Sequence, residues 1–181
     1  MNNHTIIFCD NSLRELINFR EDVINSYAEK GYRVILIAPE NTKYEAKYPS
    51  ITHISISLSR SGKNPFNDFI YFLRLLYFYK KIKPVFIFHY TVKPNIYGSL
   101  AAAILRIPSA AMIAGLGFLF SNEGLIGKIG RNMYKFAMKF PKKIFVLNQM
   151  NRDLLINHSL ADESQIILLK GGEGINLKKF C

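Results

Sequence analysis

At 181 residues the chain is long enough for one compact domain with a continuous core, and a little short for two. Its 49% hydrophobic content excludes the disordered and low-complexity classes. The formal charge of +11 favours polyanionic partners (nucleic acid, anionic lipid or phosphorylated substrates), with a merely soluble basic surface as the plainer alternative.

Cys9 lies in an apolar run and Cys181 is the last residue, so the pair makes neither a disulfide framework nor a zinc spacing. The N-terminus lacks the basic-then-apolar order of a secretory signal, and no stretch reaches the roughly 20 apolar residues that span a bilayer. A cytoplasmic chain is expected.

Short β-rich runs alternate with helical stretches. Thr5–Cys9 is an apolar run ending at Asp10 and Asn11, as a buried strand ends at a loop. Leu13–Lys30 has helical spacing (Leu16, Phe19, Val23, Tyr27) and stops at Gly31. Tyr32–Ala38 is a second strand and Ile51–Leu58, alternating with period two, a third. Phe66–Ile82 is helical up to the stop at Lys83-Pro84, and Val85–His89 is the next strand.

In the second half, Asn95–Arg106 is a helix rich in small residues and Ala110–Ala114 a strand. The helix Ile126–Phe140 ends at Pro141, Ile144–Leu147 is a strand, Met150–His158 a short helix and Gln165–Leu169 a last strand. Strands separated by helices imply parallel βαβ units with right-handed crossovers, hence an α/β fold with an open, mostly parallel sheet. In such sheets ligands bind beyond the carboxyl ends of the strands, where strand order reverses.

The first βα turn, Cys9-Asp10-Asn11-Ser12-Leu13, has no glycine, which argues against a dinucleotide fingerprint. In the following helix Phe19 is expected in the core and Arg20 on the surface. Ser59-Arg60-Ser61-Gly62-Lys63-Asn64-Pro65 has two hydroxyls and two cations on flexible backbone; it can hold a phosphate through Arg60 and Lys63, or be a solvated loop. His89-Tyr90-Thr91-Val92-Lys93-Pro94-Asn95 spans a strand end and a helix start, where free N–H groups favour an anion, with Lys93 as an added charge. His89 reads equally as structural or functional. Gly115-Leu116-Gly117 would let backbone approach a ligand.

Glu21 and Glu29 stand eight apart, a spacing shared by the glutamate pair of many retaining glycosyltransferases. On one helix that spacing turns them about 80° apart, and they read as a chance match on a solvated face. Ile126–Lys143 is amphipathic: Ile126, Ile129, Met133, Phe136, Ala137 and Phe140 form an apolar stripe, and Lys128, Arg131, Lys135 and Lys139 a basic one. That pattern suits an anionic membrane surface, the alternative being an ordinary helix with its lysines in water.

In order, Asn18-Phe19-Arg20, the Ser59–Pro65 loop, Tyr90–Gly98, Gly115–Gly117, Asn148 with Asp153, and Gly172–Phe180 resemble bacterial family-4 glycosyltransferases of the GT-B type over nearly the whole chain. The likeness is strongest to enzymes that extend polyprenyl-diphosphate-linked glycans for surface polysaccharide or protein glycosylation. It implies a Rossmann-like half that binds a lipid-linked sugar acceptor and an anionic membrane. A second domain would bind the nucleotide-sugar, with retention of configuration and no obligatory metal.

Carried over, His89, Thr91, Lys93, Gly115, Leu116, Gly117 and Asn148 line the acceptor cleft. Residues 1–175 would form the domain and 176–181 the start of a hinge, with the donor domain missing from the sequence or supplied by a separate chain. The resemblance thus implies a transferase half, inactive alone, peripheral on the inner face of the plasma membrane. The alternative is a non-catalytic subunit that anchors or recruits a catalytic partner. No RNA or DNA motif is recognisable, so nucleic acid is not an expected partner.

Overall fold

The computed structural model describes residues 4–40, 44–58, 64–116 and 124–172. Seven parallel strands form one open sheet: β1 (Thr5–Cys9), β2 (Arg33–Ala38), β3 (Ile51–Ser55), β4 (Phe86–Tyr90), β5 (Ser109–Ile113), β6 (Lys143–Val146) and β7 (Ile166–Leu168), in the order β3-β2-β1-β4-β5-β6-β7. The helices are α1 (Leu13–Glu29), α2 (Pro65–Ile82), a π-helical turn (Pro94–Gly98) running into α3 (Ser99–Ile104), α4 (Leu125–Ala137) and α5 (Gln149–Asn157). The third strand is shorter than its period-two pattern predicts. Ile56 leaves the strand, although its N–H still reaches the Ala38 carbonyl and its side chain stays buried.

Local chemistry sets the helix ends. Ser12 caps α1 by accepting from the Glu15 N–H at 3.2 Å. Asn64 caps α2 by accepting from the Phe66 N–H at 3.0 Å, with Pro65 in the first turn, where no N–H is needed. At the other end Lys83 adopts the left-handed conformation (φ 51) before Pro84. Asn148 caps α5 by accepting from the Asn151 N–H at 2.8 Å.

The strand register assigns the core. Ile7, Cys9, Ile87, His89, Ala111, Ile144 and Val146 share one face, packed beneath α2, α3, α4 and α5. Phe8, Leu36, Phe88 and Tyr90 share the other, packed beneath α1. Helices going left from β1 and right from β4 lie on opposite faces because both crossovers are right-handed.

On α1 the buried residues are Leu13, Leu16, Arg20, Ile24 and Ala28: Leu16 is where the sequence reading put it, and beyond it the stripe runs one position later. Phe19 is 41% exposed and Val23 is also on the surface, while Arg20 is only 7% exposed. Arg20 can occupy a core position because its aliphatic stem packs like an apolar residue while its guanidinium lies 4.6 Å from the Tyr90 ring centroid.

Helical backbone runs from 92 to 104, beginning before the expected Asn95. Gly98 lies against the His89 ring: a Cβ there would come within 2.4 Å of it. Gly98→Ala is therefore expected to lower stability by about 1–3 kcal/mol through overpacking. Urea denaturation monitored by circular dichroism measures it; an unchanged midpoint would contradict the close approach.

Candidate functional site: the crevice between β1 and β4

β1 and β4 are neighbours whose connections leave in opposite directions, so a crevice opens beyond their carboxyl ends. Asp10 is the first residue past β1 and Thr91 the first past β4. The Asp10 side chain continues the α1-covered face, next to Arg20 and Tyr90. It is 1% exposed. Oδ1 accepts from the Asn11 N–H at 2.6 Å and lies 3.4 Å from the Thr91 hydroxyl, while Oδ2 is buried with no hydrogen-bond partner among the described residues. Burial pushes the carboxyl up to about 7, against the downward pull of the Arg20 guanidinium and of the Asn11 N–H. Thr91 has φ 66, an uncommon conformation for a β-branched residue, and its hydroxyl also donates to the Tyr90 carbonyl.

The first turn of α1 is already occupied, since Leu13 N–H donates to Glu40 Oε2 at 2.7 Å. Further along the edge, Asn95 Nδ2 donates to the Met112 carbonyl at 2.9 Å and Asn151 Nδ2 to the Ala114 carbonyl at 3.0 Å. These two buried asparagines tie the helices after β4 and β6 to the strand between them.

Several residues expected to line the crevice are elsewhere. His89 is fully buried beneath α2 and α3: Nε2 sits 3.1 Å from the Tyr79 hydroxyl and Nδ1 3.4 Å from Ser99 Oγ. Burial lowers its imidazole to about 3, so it is a neutral structural histidine. Leu116 is wholly buried, in the core cluster with Ile113 and Tyr134.

Lys93 is no open anion-facing cation. Its Nζ is 2.6 Å from Asp68 Oδ1, with both side chains about 15% exposed (16% and 15%), and Tyr97 donates to Asp68 Oδ2 at 3.1 Å. Gly115 is exposed at the edge, and a Cβ there would meet nothing within 4 Å, so packing within the described chain does not demand a glycine. Asn148 is exposed at the end of β6, with its side-chain oxygen engaged as the α5 cap. Arg60, Lys63, Gly117 and 173–181 lie outside the described residues. Sequence reasoning missed Asp10, Arg20 and Asp68; the signal for Asp10 was a carboxylate directly after an apolar strand.

A recess of about 480 Å³ lies at the opposite, amino-terminal edge, lined by Lys135, Lys139, Ser159, Asp162 and Gln165 among others. Among the described residues no group of three or more His, Cys, Asp or Glu is placed to hold a metal.

The outward surface of the α2–α4 layer is the second notable feature. Phe66, Phe69, Leu73 and Tyr77 are exposed on α2, on the side away from the buried Tyr71, Leu75 and Tyr79. On α4 and just beyond it, Ile129, Phe136 and Phe140 are exposed beside Lys128, Lys135 and Lys139, whereas Tyr134, Ala137 and Met138 are buried. Arg131 is half-buried, unlike the three lysines. The sequence stripe on α4 thus splits: Ala137 faces the core, Met133 is half-buried, and Ile129, Phe136 and Phe140 face outward. The Ile126 side chain lies outside the described residues.

A family model described as "Glycosyl transferase 4-like" matches residues 12–148. The chain belongs to this glycosyl transferase 4-like family. It is 29% identical over 183 residues to the N,N'-diacetylbacillosaminyl-diphospho-undecaprenol alpha-1,3-N-acetylgalactosaminyltransferase of Campylobacter jejuni, a match covering 96% of this chain and 47% of that protein. The chain therefore spans about half the length of this curated relative. Its fold is similar to that of a glycosyltransferase from Rickettsia africae (TM-score 0.62, 18% identity, 99% of this chain and 45% of that one). It is also similar to sucrose-phosphate synthase from Thermosynechococcus elongatus (TM-score 0.69, 10% identity, 97% and 49%). These structures establish the fold: one half of a GT-B arrangement, an all-parallel open sheet with helices on both faces.

Two measurements check the site. The folded Asp10 carboxyl titrates above its ordinary value, so between about pH 4 and 7 the folded state holds a proton that the unfolded chain has lost, and stability falls as pH rises through that window. Relative to Asp10→Asn, the wild type should lose up to about 1.4 kcal/mol per pH unit there and run parallel above it; parallel urea-stability curves throughout would contradict the burial. A double-mutant cycle on Lys93→Met and Asp68→Asn should give a coupling of about 1–3 kcal/mol, far above an exposed pair.

Proposed function

We propose that these residues form the acceptor-side half of a glycosyltransferase working at a membrane surface, moving a sugar from a nucleotide-sugar to a polyprenyl-diphosphate-linked glycan in surface polysaccharide or glycoprotein assembly. The nucleotide-sugar binds a second domain, on the same or a separate chain, and the acceptor binds beyond the carboxyl edge around Thr91, Gly115 and Asn148. The main support is the similarity to the Campylobacter enzyme, whose name specifies a diphospho-undecaprenol acceptor, running along nearly all of this chain.

The outward α2–α4 surface supports the membrane part. Among the described residues no helix is long and apolar enough to cross a bilayer. Aromatic side chains and lysines instead share one outer layer, an arrangement that inserts rings at the headgroup level and sets cations against anionic lipid. Each lysine close to such a surface contributes about 1 kcal/mol, screened by salt.

The test uses the 181-residue chain with three vesicle types: phosphatidylcholine, phosphatidylcholine with phosphatidylglycerol, and the latter carrying N,N'-diacetylbacillosaminyl-diphospho-undecaprenol. Binding should rise in that order and the anionic component should weaken with salt. Replacing Lys128, Lys135 and Lys139 by Gln should reduce anionic binding at least about tenfold, and replacing Phe66, Phe69 and Tyr77 by Ser should weaken binding to all three. Equal binding to all vesicle types rejects both parts of the proposal. These 181 residues alone are expected not to turn over a UDP-sugar.

A further inference from the structure

Asp10 is not arranged as a stability device. A carboxylate that is 1% exposed, with one oxygen lacking any hydrogen-bond partner among the described residues, carries a desolvation cost that an apolar residue would avoid. It stands where strand order reverses, and across the crevice it accepts from the hydroxyl of Thr91, whose left-handed backbone must be held by its surroundings. Thr91 also precedes helical residues 92–104, and its carbonyl accepts from the Asn95 N–H at 3.0 Å. The elbow at Thr91 therefore sets the direction in which that helix leaves the crevice.

The Thr91 hydroxyl has one proton and two acceptors, the Tyr90 carbonyl at 2.5 Å and Asp10 Oδ1 at 3.4 Å. A charged carboxylate is the stronger acceptor, so the charge on Asp10 decides which one the hydroxyl serves. We infer that Asp10 is a positioning residue for the acceptor, acting through Thr91: when ionised it draws the hydroxyl across the crevice and fixes the elbow against which the acceptor sugar packs. The inference rests on the acceptor-side reading above.

Arg20 and Glu15 from α1 face Asp10, while the Cys9 thiol of β1 and the Tyr71 phenol of α2, on the other side of the sheet, lie within electrostatic reach of it. Burial pushes the Cys9 thiol up to about 12 and holds the Tyr71 phenol well above its ordinary value, so both stay neutral around pH 7. With a carboxyl that titrates at about 7, the elbow changes state within the physiological range.

The experiment measures binding of the 181-residue chain to the anionic vesicles with and without N,N'-diacetylbacillosaminyl-diphospho-undecaprenol, from about pH 6 to about pH 8. The acceptor-specific component of the wild type should strengthen as pH rises. Asp10→Asn should weaken it about tenfold at the upper pH and flatten the profile, leaving binding to acceptor-free vesicles unchanged. Thr91→Val should do the same with Asp10 intact, and Thr91→Ser should keep the wild-type profile.

An Asp10→Asn chain with wild-type affinity and slope overturns the inference, as does a loss of affinity with the slope retained, which reduces Asp10 to a structural role. If Asp10→Asn fails to fold, Thr91→Val decides: wild-type affinity and slope in that variant overturn the inference equally. A wild-type chain indifferent to the acceptor overturns the acceptor-side reading, and this inference with it.

Discussion

The lateral pairing of β1 with β4 is the contact from which the arrangement of the molecule follows. Ile6 to Cys9 pair in parallel with Phe86 to His89, although 76 residues separate Cys9 from the start of β4. Once these two strands lie side by side, right-handed crossovers send α1 to one face and the helix after β4 to the other. The crevice between their ends is a geometric by-product of that divergence. Asp10 and Thr91 meet there because each is the first residue past its strand.

The same pairing decides what each face can do. On the face beneath α2 and α3, buried polar groups pair with one another: Cys9 Sγ lies 3.5 Å from the Tyr71 hydroxyl, and the Tyr79 hydroxyl 3.1 Å from His89 Nε2. Each group is buried and holds a neighbour, which rigidifies the core but offers nothing to a ligand. The opposite face carries the aromatic stack of Phe8, Phe88 and Tyr90, with Arg20 against Tyr90. The two faces differ at the crevice because residue 9 and residue 10 point to opposite sides of the sheet. One supplies a neutral network, the other a titrating carboxylate.

The α2–α4 surface reflects a different constraint. A helix lying on a sheet needs only about a third of its circumference for the core. On α2 Tyr71, Leu75 and Tyr79 supply that third, so Phe66, Phe69, Leu73 and Tyr77 are surplus to folding. Lys93, Asp68 and Tyr97 join this layer to the helix leaving the crevice, placing an ion pair between the outward surface and the carboxyl edge of the sheet.

The sequence by itself determined the order and type of the elements, the parallel sheet and the family, because those depend on local periodicity, turn residues and motif order along the chain. The helix caps at Ser12, Asn64 and Asn148 are equally local, contacts between residues two or three apart, but the sequence reading did not assign them and took Asn148 for a cleft residue. Only the tertiary structure decided which side chains reach the crevice. The α1 stripe was misread by one position because Phe19 and Arg20 differ by 100° on the helix, and only the sheet beneath shows which of them packs on Tyr90. His89 and Lys93 carry functional chemistry in sequence and Leu116 was placed in the cleft by resemblance, but Tyr79, Tyr134 and Asp68, which bury or pair them, lie on other elements. Burial and pairing are properties of contacts between distant segments, which a linear pattern does not encode; they put His89 in the core and buried the strand-ending Asp10 carboxylate against the crevice.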